Sequence, residues 1–195
     1  MACDLCPRAC KVDRSAGERG ICGETDRVKV ARAALHMWEE PCISGKAGSG
    51  AVFFCGCALH CVFCQNGNIA NGTVGKEITE ERLAEIFLEL QEKKANNINL
   101  VTAGQFVPQV VRALRRAKDR GLGIPVVYNT SSYENVDTIK RLEGLVDIYL
   151  PDLKYVDEKL SAKYSHAPDY FVTAQAAIRE MVRQTGKPEF AVSGG

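Results

Sequence analysis

Three cysteines, Cys57, Cys61 and Cys64, stand at C-x3-C-x2-C spacing directly after the apolar run Phe53-Phe54. Thiolates are soft ligands, and a [4Fe–4S] cluster is normally held by four of them. A set of three within one loop leaves one iron without a protein ligand, and an open metal position is where a substrate binds. The chemistry this points to is a metal centre that acts on a bound molecule. The same positions also fall at i, i+4 and i+7, the spacing of one helix face, and cysteine is an ordinary small core residue. Gly56 and the run Gln65-Asn66-Gly67-Asn68 argue for a loop instead, because glycine and asparagine interrupt regular structure. A zinc site and plain core packing are the alternatives to a cluster.

A second set, Cys3, Cys6, Cys10 and Cys22, is spaced C-x2-C-x3-C-x11-C, with Pro7, Gly17, Gly20 and Gly23 breaking up the segment. Too few apolar side chains lie between them to fold it by packing. A metal would supply the missing stability, either zinc or an auxiliary iron–sulfur cluster, and the spacing does not choose between them. The alternative is a reduced, cysteine-rich arm. Nine cysteines, an odd number and clustered, suit metal binding in a reducing compartment better than a disulfide framework.

The elements that must position these groups follow from composition and periodicity. With 195 residues, 46% of them hydrophobic and 25% charged, the chain allows one substantial domain with a small appended module. A formal net charge of +1 gives no reason to expect a nucleic-acid or membrane partner. No early apolar stretch reads as a leader, so the expected location is the cytoplasm.

Alternation in Arg27-Val28-Lys29-Val30-Ala31-Arg32 predicts a half-buried strand at the edge of the main domain. Gly45, Gly48 and Gly50 lead into the strand 51–54 as backbone punctuation, and the G-x4-G-K-[ST] order of a phosphate loop is absent. His36 beside Trp38 reads as a structural contact, and Cys42 and Cys55 as buried thiols. Leu83, Ile86, Phe87 and Leu90, behind Thr79, predict an amphipathic helix. Pro108 opens another with Val111 and Leu114 on one face; its basic run 115–120 reads as a solvated face. Strands at 98–102, 126–129 and 146–150, a short helix around Val136 and Ile139, a helix at 170–184 and a strand from Phe190 complete the series. Repeated strand–helix alternation implies parallel pairing, in a (β/α) barrel or an open sheet, with ligands beyond the carboxyl ends of the strands. The cysteine triplet follows the first such strand. The expected organisation is a metal-binding module at 1–26, a linking strand and loop at 27–50, and the core at 51–195.

The chain resembles the radical S-adenosylmethionine (SAM) superfamily, in a subgroup related to pyruvate formate-lyase activating enzyme. The resemblance rests on Cys3-x2-Cys6-Pro7-Arg8-x-Cys10, on Glu39-Glu40-Pro41-x-Ile43-Ser44-Gly45, on the triplet with Phe63 before its last cysteine, and on Asp147-Ile148-Tyr149-Leu150-Pro151-Asp152-Leu153-Lys154. It implies an α/β fold, a partial (β/α) TIM-like barrel with a Cys-rich N-terminal module. It implies a [4Fe–4S] cluster on Cys57, Cys61 and Cys64, with SAM on the open iron and reductive cleavage to a 5′-deoxyadenosyl radical. Ala103-Gly104-Gln105 stands where the family holds the SAM amino group; Gly104 and Gln105 are the residues carried over, with an uncharged amide in place of a carboxylate. Asn129, Thr130, Asp152 and Lys154 match positions around the SAM carboxylate or a monovalent cation. Gly67 departs from an aromatic position. No side chain is singled out as catalytic. Implied partners are an electron donor such as flavodoxin or ferredoxin, and a glycyl-radical enzyme activated by hydrogen abstraction from glycine. The family's barrel has six βα units, so the chain is expected to be cut short at its C-terminus. From another class comes the alternative of a non-catalytic iron–sulfur or zinc protein, an electron carrier or binding module.

Overall fold

The computed structural model describes residues 2–187. Its strands are β1 Lys29–His36, β2 Ser49–Phe54, β3 Lys76–Glu77, β4 Ile98–Val101, β5 Val126–Thr130 and β6 Ile148–Pro151, joined in one sheet of order β3-β1-β2-β4-β5-β6. Helices are α1 Pro41–Ser44, α2 Gly67–Ala70, α3 Glu80–Glu92, α4 Val107–Asp119, α5 Val136–Lys140, α6 Glu158–Ser165 and α7 Tyr170–Thr185. β2, β4, β5 and β6 run parallel, with Gly50 beside Ile98, Ile98 beside Val126, and Val127 beside Ile148. Parallel neighbours need crossovers, and α3, α4 and α5 supply them. This is the expected partial (β/α) barrel.

Strands covered on both faces must be apolar almost throughout, and Ala51, Val52, Phe54, Leu100, Val126, Val127 and Tyr128 are all fully buried. α3 begins where the Thr79 hydroxyl accepts the Arg82 N–H at 3.1 Å, with Glu80 and Glu81 in the first turn complementing the helix dipole. Its buried Leu83, Phe87 and Leu90 join Val110, Leu114 and Ala117 of α4 in one core. The basic run 115–120 is more than a solvated face. Arg116 and Arg120 of this stretch both reach Glu81 of α3, at 3.0 and 2.6 Å, and Arg112 reaches Glu80 at 2.6 Å. All are substantially exposed, so they fix orientation more than they add stability.

The strand expected at the sheet edge lies inside it. β1 pairs antiparallel with β2 from Val30 opposite Phe54 to His36 opposite Ser49, and β3 covers its other side. β3 consists of Lys76 and Glu77, both exposed and charged, a pattern without apolar alternation. Cys42 is also corrected: it is exposed, whereas Cys55 is buried as expected. α6 carries only Ser161 and Ser165 as buried residues and has no apolar stripe to read. The predicted strand from Phe190 falls outside the described residues. No helix among the described residues is long and apolar enough to cross a membrane.

Beside the main core lies a smaller cluster of Leu59, Tyr133, Tyr155, Ala167, Tyr170 and Ala174, against which Cys57 and Cys61 pack. It is the floor on which the cysteine loop rests.

Candidate metal and cofactor site

β2 ends at Phe54, and the chain turns sharply at Gly56, whose φ of +79° suits glycine. The loop that follows is held by bonds from distant segments. Gly56 N–H donates to Ile69 O at 2.9 Å, Val62 N–H to Tyr164 O at 2.9 Å, and Cys64 N–H to Cys61 O at 3.0 Å. The Leu59 side chain, fully buried in the floor, fixes the middle of the loop. Cys57, Cys61, Phe63 and Cys64 all line one cavity of about 840 Å³ at the carboxyl ends of the parallel strands. Asn129, Thr130, Asp152 and Lys154 line it too. Residues as far apart as Cys57 and Lys154 thus converge because four parallel strands end on the same side.

The Cys57 thiol lies close enough to the other two to feel them. Burial pushes the Cys57 thiol up, and the neighbouring Cys61 and Cys64 push it further, against the N–H groups of His60 and Leu59. The Leu59 N–H lies 3.4 Å from Cys57 Sγ. Among the described residues no three His, Cys, Asp or Glu side chains close to the spacing of a single metal ion. A cubane is wider than an ion, so the triplet fits the larger group better than a bare metal. Binding would displace the Cys57 proton.

Lys154 extends its ammonium to Asp152 at 2.5 Å. Burial opposes the charge on Lys154, but the Asp152 carboxylate outweighs it, aided by Cys61 and Cys57, and raises the pKa. A cation held charged beside the thiols suits an anionic group of a ligand. Tyr170, invisible to spacing arguments, sets this pair in place: its hydroxyl donates to Ser131 O at 2.8 Å or Asp152 O at 3.2 Å and accepts the Lys154 N–H at 2.9 Å. Phe63, 58% exposed, leans edge-on against Tyr155 with centroids 6.1 Å apart. Arg32, His36, Trp38 and Glu39, which also line the cavity, belong to β1 and the turn after it. His36 makes its expected structural contact, edge-on to Phe53 at 6.0 Å.

Gly104 and Gln105 are not among the residues that line the cavity. The Gln105 side-chain amide donates to Cys55 O at 2.7 Å, Gly56 O at 3.1 Å and Thr102 O at 2.9 Å. It ties the end of β4 to the start of the cysteine loop. Gly104 presses on a carboxylate, since a Cβ there would meet both Glu134 oxygens at 2.6 Å.

Glu134 is a second group that spacing did not single out. Its Oε1 accepts from Thr130 Oγ1 at 2.8 Å and Tyr128 Oη at 3.1 Å, while its buried Oε2 has no protein partner. Burial, only partly offset by those two hydroxyls, lifts its pKa from 4.5 to about 7. The unfolded carboxyl ionises first as pH rises. The stability from keeping the proton is therefore whole below pH 4.5 and lost as pH rises through about 7, at most about 3 kcal/mol. Glu134→Gln should flatten the fall in melting temperature between pH 5 and pH 8, measured by circular dichroism; an unchanged slope would show that the carboxyl is already ionised at pH 5.

A family model described as the radical SAM superfamily matches residues 51–191. An uncharacterized protein of Methanocaldococcus jannaschii is 31% identical over 179 residues, covering 87% of this chain and 50% of that protein. The pyruvate formate-lyase-activating enzyme of Clostridium pasteurianum is 27% identical over 122 residues, covering 60% of this chain and 50% of the enzyme. The chain spans about half the length of these curated relatives. No solved structure matches it.

Proposed function

Since the chain belongs to the radical SAM superfamily of enzymes, whose members use a [4Fe–4S] cluster and SAM, we propose that Cys57, Cys61 and Cys64 hold that cluster and that SAM lies between it and Lys154. The observation that carries this reading is the meeting of the triplet with the Asp152–Lys154 pair in one cavity beyond the parallel strands. These thiols would hold the cluster, and the chemistry it would supply there, once reduced, is one-electron reductive cleavage of SAM for hydrogen-atom abstraction from a substrate.

This chain's own residues bind and orient. Lys154, held charged by Asp152, offers its ammonium to the SAM carboxylate. Asn129, at the end of β5, offers its amide to the same cavity, while the Thr130 hydroxyl beside it is engaged by Glu134 and the Ser132 N–H. Phe63, beside Cys64, offers the cavity an apolar ring leaning on Tyr155. In this reading Gln105 positions the cysteine loop instead of touching SAM. A flavodoxin- or ferredoxin-like protein would deliver the electron. By likeness to the activating enzyme of Clostridium pasteurianum, the hydrogen donor would be a glycine of a partner protein.

The test is anaerobic reconstitution with iron and sulfide, followed by dithionite and SAM. Release of 5′-deoxyadenosine and a SAM-dependent change in the spectrum of the reduced cluster support the reading. A cluster indifferent to SAM, in this chain and in a full-length relative, would leave an electron carrier instead.

A further inference from the structure

Four free thiols, Cys3, Cys6, Cys10 and Cys22, remain outside the cavity. Backbone bonds gather their segment: Cys3 N–H donates to Val12 O at 2.9 Å, Lys11 N–H to Cys3 O at 3.0 Å, and Ala9 N–H to Cys6 O at 3.0 Å. Gly20 sits between two of the sulfurs, since a Cβ there would stand 3.3 Å from Cys10 Sγ and 3.4 Å from Cys22 Sγ.

Zinc would draw its thiolates to about 2.3 Å. No three of these sulfurs approach single-ion spacing, and an iron–sulfur core is wide enough to bridge thiols that stand farther apart.

The set is joined to the triplet loop at three points. Arg8, between Cys6 and Cys10, donates from Nε to Ala58 O at 2.8 Å and from Nη2 to Ser165 O at 2.7 Å and Leu59 O at 3.4 Å. Its Nη1 donates to His166 O, and its guanidinium lies over the Tyr133 ring at 5.1 Å. His60 Nε2 meets Ile21 O at 2.8 Å, and the Cys22 carbonyl packs against Gly56.

We propose that Cys3, Cys6, Cys10 and Cys22 hold a second iron–sulfur cluster, and that Arg8 latches it to the loop carrying Cys57 and Cys61. Each thiol passes its proton to solvent as its sulfur takes iron. The latch, though not the second cluster, rests on the radical SAM reading of the triplet.

The full chain with Cys57, Cys61 and Cys64 all changed to alanine is reconstituted anaerobically with ferrous iron and sulfide, with zinc offered in competition. About four irons per chain and visible charge-transfer absorption are expected, both lost on adding Cys10→Ser. Iron no higher than in the Cys10→Ser control, or zinc bound in preference, overturns the second cluster. Should the triple variant fail to fold, the intact chain is compared with Cys10→Ser, Cys22→Ser, where iron should fall from about eight to about four. For the latch, Arg8→Ala should let a chelator remove the SAM-sensitive signal about tenfold faster, the lower end for a partner behind the ligands, with partial recovery in Arg8→Lys. An unchanged rate overturns it. If the wild type has no SAM-sensitive signal, the radical SAM reading fails while the iron count in the triple variant still decides the second cluster.

Discussion

Alanine at Cys64 is expected to abolish 5′-deoxyadenosine formation from SAM and dithionite, leaving only the cluster-free background. Cys64 is the informative choice among the three thiols because it is exposed, while Cys57 and Cys61 pack on the aromatic floor. An exposed substitution changes stability by about 0.5 kcal/mol or less, so loss of activity would report loss of a ligand and not of the fold. Two thiolates cannot replace three around a cubane, and no other cysteine is placed to substitute. Cys55, the nearest in sequence, is fully buried, donates its thiol to Val74 O at 3.2 Å, and has its pKa pushed up to about 11 by burial. Cys55→Ala and Cys42→Ala should therefore keep the activity that Cys64→Ala loses. Retention of SAM cleavage by Cys64→Ala would remove the triplet from the mechanism.

Alanine at Gly56 should be the most damaging small substitution in the loop. Two costs combine there. A φ of +79° is worth about 1–2 kcal/mol to any L side chain. The added Cβ would also meet the Cys22 carbonyl oxygen at 2.6 Å and Glu24 Cγ at 2.5 Å, and backbone cannot swing aside. Overpacking adds about 1–3 kcal/mol, for a total of about 3 kcal/mol or about 10 °C in melting temperature. Gly17→Ala supplies the comparison: its φ is +90°, yet nothing lies within 4 Å of the new atom, so only the conformational cost applies. The two variants separate crowding from strain. Equal melting temperatures would mean that residues 20–24 do not press on the cysteine loop; a larger fall for Gly56→Ala, with faster proteolysis of the N-terminal segment, is the expected result.

How much of this was legible in advance depends on the range of the interaction concerned. α3 and α4 could be read because each buries a single apolar stripe, and β2, β4 and β5 because strands covered on both faces are nearly unbroken runs of apolar residues; β6 is exposed at both ends and was read from its apolar run alone. The triplet was legible because its three cysteines lie within eight residues. Arg8 was not, although it stands inside a quoted motif, because no periodicity tells a guanidinium to reach carbonyls 50 and 157 residues away. Tyr170 was hidden for the same reason: it reads as the first residue of a helix, while its hydroxyl serves the ends of two strands. The place of β1 inside the sheet depends on β3, whose charged pair carries no pattern at all. Gln105 could be aligned with a ligand-binding position, but its amide hydrogens are already engaged by three carbonyls, which alignment cannot see.

The chain contains one tryptophan, Trp38, and it stands 90% exposed at the cavity that the cysteine triplet also lines. All indole fluorescence of the protein therefore originates at that opening, from a hydrated ring with long-wavelength emission. Iron–sulfur groups absorb in the near ultraviolet and visible, where such a ring emits, so loading the cavity should dim this native lamp by energy transfer. The protein carries its own optical gauge of cofactor occupancy, with no dye or added label.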